Sequence, residues 1–224
     1  MKPKRIILIR HGESEGNVNR EVYGRKPDYA LELSEKGKAQ AKEAGEKLRR
    51  LTGNESLFFY VSPLWRTRMT FEEIAKAQTG MLRWIEEPRI REQEWGHLRS
   101  LKKCNAVDAE RDAYGTFYYR IPDGESAADV YDRVSDFMGT LHRDFEKETC
   151  ADNVVLITHG MTIRLFLMRW LHWTVEEFEQ IANPPNCSIV LLEKDNKGKY
   201  SLTTELKKHV VLHGFQRPIK LSKQ

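Results

Sequence analysis

The stretch Ile6-Ile7-Leu8-Ile9-Arg10-His11-Gly12-Glu13-Ser14-Glu15-Gly16-Asn17 joins an unbroken apolar run to a cation, an imidazole and a glycine. Such a run reads as a strand covered on both faces, as the strands of parallel sheets are. Arg10 and His11 then emerge at its carboxyl end, where open α/β sheets bind ligands. The expectation for His11 is a reactive group on a sheet edge.

Outward from this stretch, Leu57 to Val61, Val154 to Ile157 and Ile189 to Leu192 are further apolar runs of the same kind. Helical patterns lie between them. Ser34 is placed to cap a helix carrying Ala41, Ala44, Leu48 and Leu51 and ending near Gly53. A second is expected from Arg66 to Gln78. A third starts at Ser126, with Asp129 completing a capping box and Val130, Val134, Phe137, Leu141 and Phe145 on one face. Another follows His159, and Thr174 with Glu177 marks a last start. This alternation predicts an α/β fold: a mostly parallel central sheet with helices on both faces, in three α/β/α layers. The Lys194-Asp195-Asn196-Lys197-Gly198 turn leads to an antiparallel edge strand near 200–206. No repeat or linker divides the chain, so residues 1–224 read as a single domain. The pattern breaks over 96–122, which reads as a lid or substrate loop, or as a helical excursion whose aromatics pack on the domain.

Composition narrows the class. A chain of 224 residues can bury a sizeable core without covalent staples. Cys104, Cys150 and Cys187 are an odd count without Cys-x-x-Cys spacing, against a disulfide framework or structural zinc. The run Ile6 to Ile9 is too short for a signal peptide core or a membrane span. A cytoplasmic, soluble protein is expected. Lys and Arg number 37 against 33 Asp and Glu, a net +4 that mildly favours anionic partners. A small phosphorylated molecule suffices as partner; no nucleic acid or membrane is expected, and a homodimer is compatible.

Three strand ends carry the chemistry: Arg10-His11-Gly12, Ser62-Pro63-Leu64-Trp65-Arg66 and Thr158-His159-Gly160. In a parallel sheet these ends share one edge, so two histidines and two arginines meet there. Two guanidiniums facing one point suit a tetrahedral oxyanion, and a helix after Gly12 would aim its N-terminus at that anion. Nearby arginines disfavour protonation of His11, leaving it able to accept a phosphoryl group. His97, His142, His172, His209 and His213 lack this setting and read as structural or exposed. Flanking arginines oppose a metal cation beside His11 and His159, so no metal or cofactor is expected.

Arg10-His11-Gly12-Glu13-Ser14 with Asn17 resembles the signature of the histidine phosphatase superfamily, in its phosphoglycerate-mutase-like branch. Ser62-x-Leu64-x-Arg66-Thr67-x-x-Thr70 and Thr158-His159-Gly160 are similar to its second and third blocks, and Glu92, four residues before Gly96, sits where that family keeps a proton donor. The resemblance implies a phosphohistidine mechanism. His11 would attack the phosphoryl group, Arg10, Asn17, Arg66 and His159 would bind its oxygens, and Glu92 would protonate the leaving alkoxide before acting as base on water. Glu94 competes for the acid role, and Glu13 reads as structural support. Tyr23 and Arg25 are further substrate-binding candidates; Lys102, Lys103 and Arg120 are candidates for a second anionic group of the substrate. Glu13-Ser14 in place of Arg-Pro disfavours the secreted acid phosphatases and phytases of the superfamily. A short span from Gly96 to Pro122 disfavours the cofactor-dependent mutases. A phosphomonoesterase acting on small organic phosphates is therefore expected, ahead of a mutase-type phosphotransferase and of a non-catalytic phosphate-binding or interaction module. Gly16 is a departure, since many relatives have tryptophan there.

Overall fold

Side chains of the first strand, β1 (Arg5–Arg10), alternate between two hydrophobic cores, because successive residues of a strand face opposite sides of the sheet. Ile6 and Leu8 enter one core, Ile7 and Ile9 the other, and all are fully buried. Burial of each such side chain contributes about 1.5–3 kcal/mol. A continuous apolar run is thus what a strand between two helical layers requires.

The computed structural model describes residues 2–79, 82–97 and 100–208. After β1 come the single-turn helix α1 (Glu15–Val18), α2 (Glu35–Thr52), β2 (Leu57–Val61), α3 (Trp65–Ala75), β3 (Arg83–Glu86) and α4 (Leu101–Tyr114). The chain continues through α5 (Ala127–Phe145), β4 (Asn153–Thr158), α6 (Gly160–Leu171), α7 (Val175–Glu179), β5 (Ile189–Lys194) and β6 (Tyr200–Leu202). Strand order is β3-β2-β4-β1-β5-β6. The first four strands of this order are mutually parallel, whereas β5 runs antiparallel to β1 and β6 antiparallel to β5. Helices α2 and α3 pack together over Ile7 and Ile9, and α5 and α6 cover Ile6 and Leu8. The three-layer α/β/α reading is the observed one.

Capping follows the side chains that announced it. Ser34 Oγ accepts from Gly37 N at 3.0 Å, and Ser126 with Asp129 forms a reciprocal box at the start of α5, as Thr174 with Glu177 does at α7. Three features depart from expectation, and a fourth falls on one of two readings left open. β3 carried no apolar signal because all four of its residues are exposed on the sheet edge. The run Ile189 to Leu192 is not a strand covered on both faces: β5 alternates buried and half-buried residues, as antiparallel strands do. The span 96–122, left open between a loop and a helical excursion, contains the helix α4, whose inner side buries Cys104 and Val107. The helix after Gly12 is one turn long and begins at Glu15, closed by Ser14 and Asn17, so its dipole is negligible. Among the described residues, no helix is long and apolar enough to cross a membrane.

Candidate active site

β1 pairs with β4 in a register that sets Arg10 beside Thr158, so His11 and His159 leave adjacent strands together. Their ring centroids lie 5.2 Å apart. His11 N donates to Thr158 O at 2.9 Å, and Ser62 N at the end of β2 donates to Ile157 O at 3.0 Å. The three strand ends therefore do share one edge. Glycine makes the edge dense: a Cβ on Gly12 would stand 2.5 Å from the Gly37 carbonyl oxygen at the start of α2. Gly12 N donates to Thr70 Oγ1 at 3.0 Å, tying the same turn to α3.

His11 is 3% exposed, and its Nδ1 lies 2.7 Å from the Gly12 carbonyl oxygen. A carbonyl only accepts, so Nδ1 carries the proton and Nε2 the lone pair. Burial, then the Arg66 and Arg10 guanidiniums, hold this imidazole well below its ordinary 6.5. His159 is fully buried; burial and then Arg66 depress it in the same way. Its Nε2 lies 2.8 Å from Ser62 Oγ, while its buried Nδ1 has no hydrogen-bond partner and stands 3.9 Å from Glu92 Oε2. Two neutral imidazoles thus sit side by side.

Arg10 donates through Nη1 to the Pro184 carbonyl at 2.7 Å. Arg66, in the first turn of α3, forms a two-pronged pair with Asp28, Nη1 to Oδ1 at 3.0 Å and Nη2 to Oδ2 at 3.1 Å. Asn17 Oδ1 accepts from Ser14 N and from Asn186 Nδ2, which leaves the Asn17 NH₂ group as the unspent donor. Burial raises the Glu92 carboxyl above its ordinary 4.5, against the pull of Arg66 and Arg10. Its main chain is stapled by Arg133 of α5, whose Nη1 donates to the Arg89 and Arg91 carbonyls and Nη2 to that of Glu92. Glu94 is exposed and bonds the Gly96 amide; of the two acids, it is Glu92 that faces His159. Glu13 holds Ser34 Oγ at 2.9 Å and Lys36 Nζ at 2.7 Å, the supporting part expected of it.

His11 opens onto a cavity of about 270 Å³, room for a small molecule, whereas the fully buried His159 is not among its lining residues. Arg10, His11, Asn17, Arg66, Glu92 and Tyr23 all contribute to its wall. Tyr23 reaches in because residue 16 is glycine: a Cβ there would stand 2.6 Å from the Tyr23 hydroxyl oxygen. Burial pushes that phenol up to about 12, so it stays protonated. Arg25 lines an adjoining cavity that shares Tyr23, Asp28 and Glu92. Lys102, Lys103 and Arg120 line neither. The two lysines lie on the exposed side of α4, and Arg120 pairs with Asp129 at 2.7 Å. Helical phase turns the two lysines outward, because Cys104 and Val107 take the inner face of α4, and Arg120 lies beyond that helix. The cations on the cavity side are Arg20 and Arg111, which stand over the Trp95 ring at 5.8 and 5.3 Å. Arg20 and Trp95 line the cavity wall, and neither was singled out from sequence; nor were Asp28, Pro184 and Asn186. The only sequence signal for the last two was the stiff Asn183-Pro184-Pro185-Asn186 turn before β5. Among the described residues, no group of three or more His, Cys, Asp or Glu side chains is arranged to hold a metal ion.

A three-layer α/β fold with paired imidazoles, two guanidiniums and a carboxyl gathered at one sheet edge is an arrangement able to hold a tetrahedral oxyanion. The model of the histidine phosphatase superfamily (branch 1) matches residues 6–206, and the chain belongs to that family. It is 42% identical to the phosphoglycerate mutase-like protein AT74H of Arabidopsis thaliana, over 90% of this chain and 78% of that protein. It is 31% identical to the broad-range acid phosphatase DET1 of Saccharomyces cerevisiae, over 92% of this chain and 90% of that one. The mycobacterial glucosyl-3-phosphoglycerate phosphatase solved with VO3 has the same fold, with a TM-score of 0.72 at 24% identity, over 91% of this chain and 99% of that one.

Proposed function

We propose that this protein is a metal-independent phosphomonoesterase that hydrolyses small organic phosphates through a phosphohistidine on His11. The observation that carries the proposal is the His11 imidazole, proton on Nδ1 and pKa lowered by burial, in a wall shared with Arg10, Arg66 and a carboxyl that burial raises above its ordinary 4.5. His11 Nε2 attacks phosphorus, a P–N bond forms and the ester P–O bond breaks, and Glu92 transfers its proton to the departing alkoxide. Water then enters; the Glu92 carboxylate takes one of its protons as the oxygen attacks phosphorus, the P–N bond breaks, and phosphate, neutral His11 and protonated Glu92 are restored. Throughout, Arg10, Arg66 and the Asn17 amide hold the equatorial oxygens. Ser62 Oγ–H donating to His159 Nε2 puts the second imidazole's proton on Nδ1, as a further donor to the same oxygens.

The sequence relation to an acid phosphatase and the acid-suited pKa directions of His11 and Glu92 support a hydrolase. A panel of phosphomonoesters, assayed for inorganic phosphate with a trap for labelled phospho-His11, tests it. Turnover with transfer of the label to water is the expected result. Transfer chiefly to an added phosphoglycerate acceptor would replace the reading with a mutase-type phosphotransferase. Neither label nor turnover would leave a phosphate-binding module.

The alcohol half of the substrate faces Trp95 and Arg20 in this reading. Joint neutralisation of Lys102, Lys103 and Arg120 is then expected to leave KM for mono- and bisphosphorylated substrates within about twofold, since exposed charges beyond the cavity are screened. Arg20→Gln is expected to raise KM about tenfold for substrates with a second anionic group and little for those without. Steady-state kinetics on both substrate sets distinguish the two assignments.

A further inference from the structure

One of the two arginines of the cavity is already engaged by a carboxylate. Asp28 accepts from Arg66 three times: Oδ1 and the carbonyl oxygen from Nη1, at 3.0 and 2.8 Å, and Oδ2 from Nη2 at 3.1 Å. Both hydrogens of Nη1 and one of Nη2 are spent this way, so Nε–H and the second Nη2–H are the edge of the fork left for a ligand. The Arg66 side chain is 4% exposed and that of Asp28 32%, so the pair is shielded from water on the arginine side. The turn that carries Asp28 is stiff. Pro27 precedes it at φ −66°, Ala30 N donates to Pro27 O at 3.0 Å, and the fully buried Leu31 anchors its end.

We infer that Asp28 is a positioning residue that sets both the presented edge and the net charge of the phosphate site, so that product phosphate is bound loosely enough to leave. The inference rests on the proposed reading of the cavity as a phosphate site. Asp28 and Glu92 are the only carboxyl groups in the cavity wall among the described residues, and burial raises Glu92 above its ordinary 4.5, towards its neutral form. Both imidazoles are neutral, and Arg20 is paired with Asp108 at 2.6 Å. Against the charges of Arg10 and Arg66, Asp28 is therefore the one compensating anion facing the ligand. A dianionic product meets a site of about one net positive charge instead of two, while the orientation of the Arg66 fork is preserved by the carboxylate that discounts it.

Asp28→Asn keeps a carbonyl acceptor for the fork and removes the charge; Asp28→Ser removes both the charge and the two-pronged geometry. Calorimetric titration with inorganic phosphate and product-inhibition kinetics are read on the wild type and both variants. The expected result for Asp28→Asn is phosphate bound roughly tenfold more tightly, with KM and kcat falling together as release slows. Asp28→Ser is expected to bind phosphate more tightly than wild type and to lose kcat/KM, which Asp28→Asn retains. Phosphate affinity unchanged or weakened in the folded variants, with wild type binding phosphate and turning over, would overturn the role of Asp28 alone. A wild type that neither binds inorganic phosphate nor releases it from esters would overturn the phosphate site and this inference with it.

Discussion

Exchange of His11 for alanine is expected to lower kcat by about 10⁴-fold or more and to abolish the acid-labile phosphoryl adduct. Loss of a nucleophile that acts in concert with its neighbours typically costs that much, because the remaining groups stabilise a transition state that no longer forms by the same route. His11 supplies the electron pair on Nε2 and is the only imidazole that lines the cavity among the described residues, since His159 is fully buried beside it. Arg10, Arg66 and Asn17 are untouched by the change, so affinity for inorganic phosphate is expected to stay within a few-fold. Turnover at the wild-type rate, or a labelled adduct that persists in the variant, would sink the phosphohistidine mechanism.

Glu92→Gln, nearly isosteric, is expected to reduce kcat for alkyl phosphates by about 10²–10⁴-fold, the usual worth of a general acid. Aryl phosphates with good leaving groups need less help in the first step, so phospho-His11 should accumulate with them while its hydrolysis, short of a base, lags. The pH profile carries the sharper test. With ordinary values of 6.5 for His11 and 4.5 for Glu92, the neutral imidazole and the protonated carboxyl would hardly coexist at any pH. Burial shifts both in the useful direction: His11 goes down and Glu92 up, opening a window in which both forms are populated. Activity should rise as pH climbs through the lowered His11 pKa and fall as it passes the raised Glu92 pKa. The variant should lose the alkaline limb and keep the acid one. An unchanged alkaline limb would remove Glu92 from the acid role.

Much of this site was legible because strand ends concentrate chemistry. Arg10, His11, Arg66 and His159 each follow an apolar run or sit one helical turn beyond it, and a parallel sheet must bring such ends together. Glu92 was legible only through the family resemblance of the segment before Gly96, since its place depends on Arg133 and Thr162 from distant helices holding the backbone around it. Asp28 was not legible: Pro27-Asp28-Tyr29 reads as an ordinary turn, and nothing local says that its carboxylate meets a guanidinium on α3. Lys102 and Lys103 show the opposite failure, where charge was visible but the helical phase was not. Gly16 stood out as a departure, and its cause is the Tyr23 ring that fills the space a larger residue would take.

The parallel register of β1 on β4 pairs residues 148 positions apart, Arg5 with Asn153 among them, and the two imidazoles lie one step beyond the last pair. Closing so long a loop costs little more free energy than closing a shorter one, but it makes folding depend on distant contacts and slows it. His11 is synthesised well before β4, and its neighbour His159 exists only once that strand has been made. A nascent or C-terminally truncated chain that lacks β4 therefore holds the signature segment without the reactive pair, and chemistry against phosphate esters is deferred until the sheet is complete.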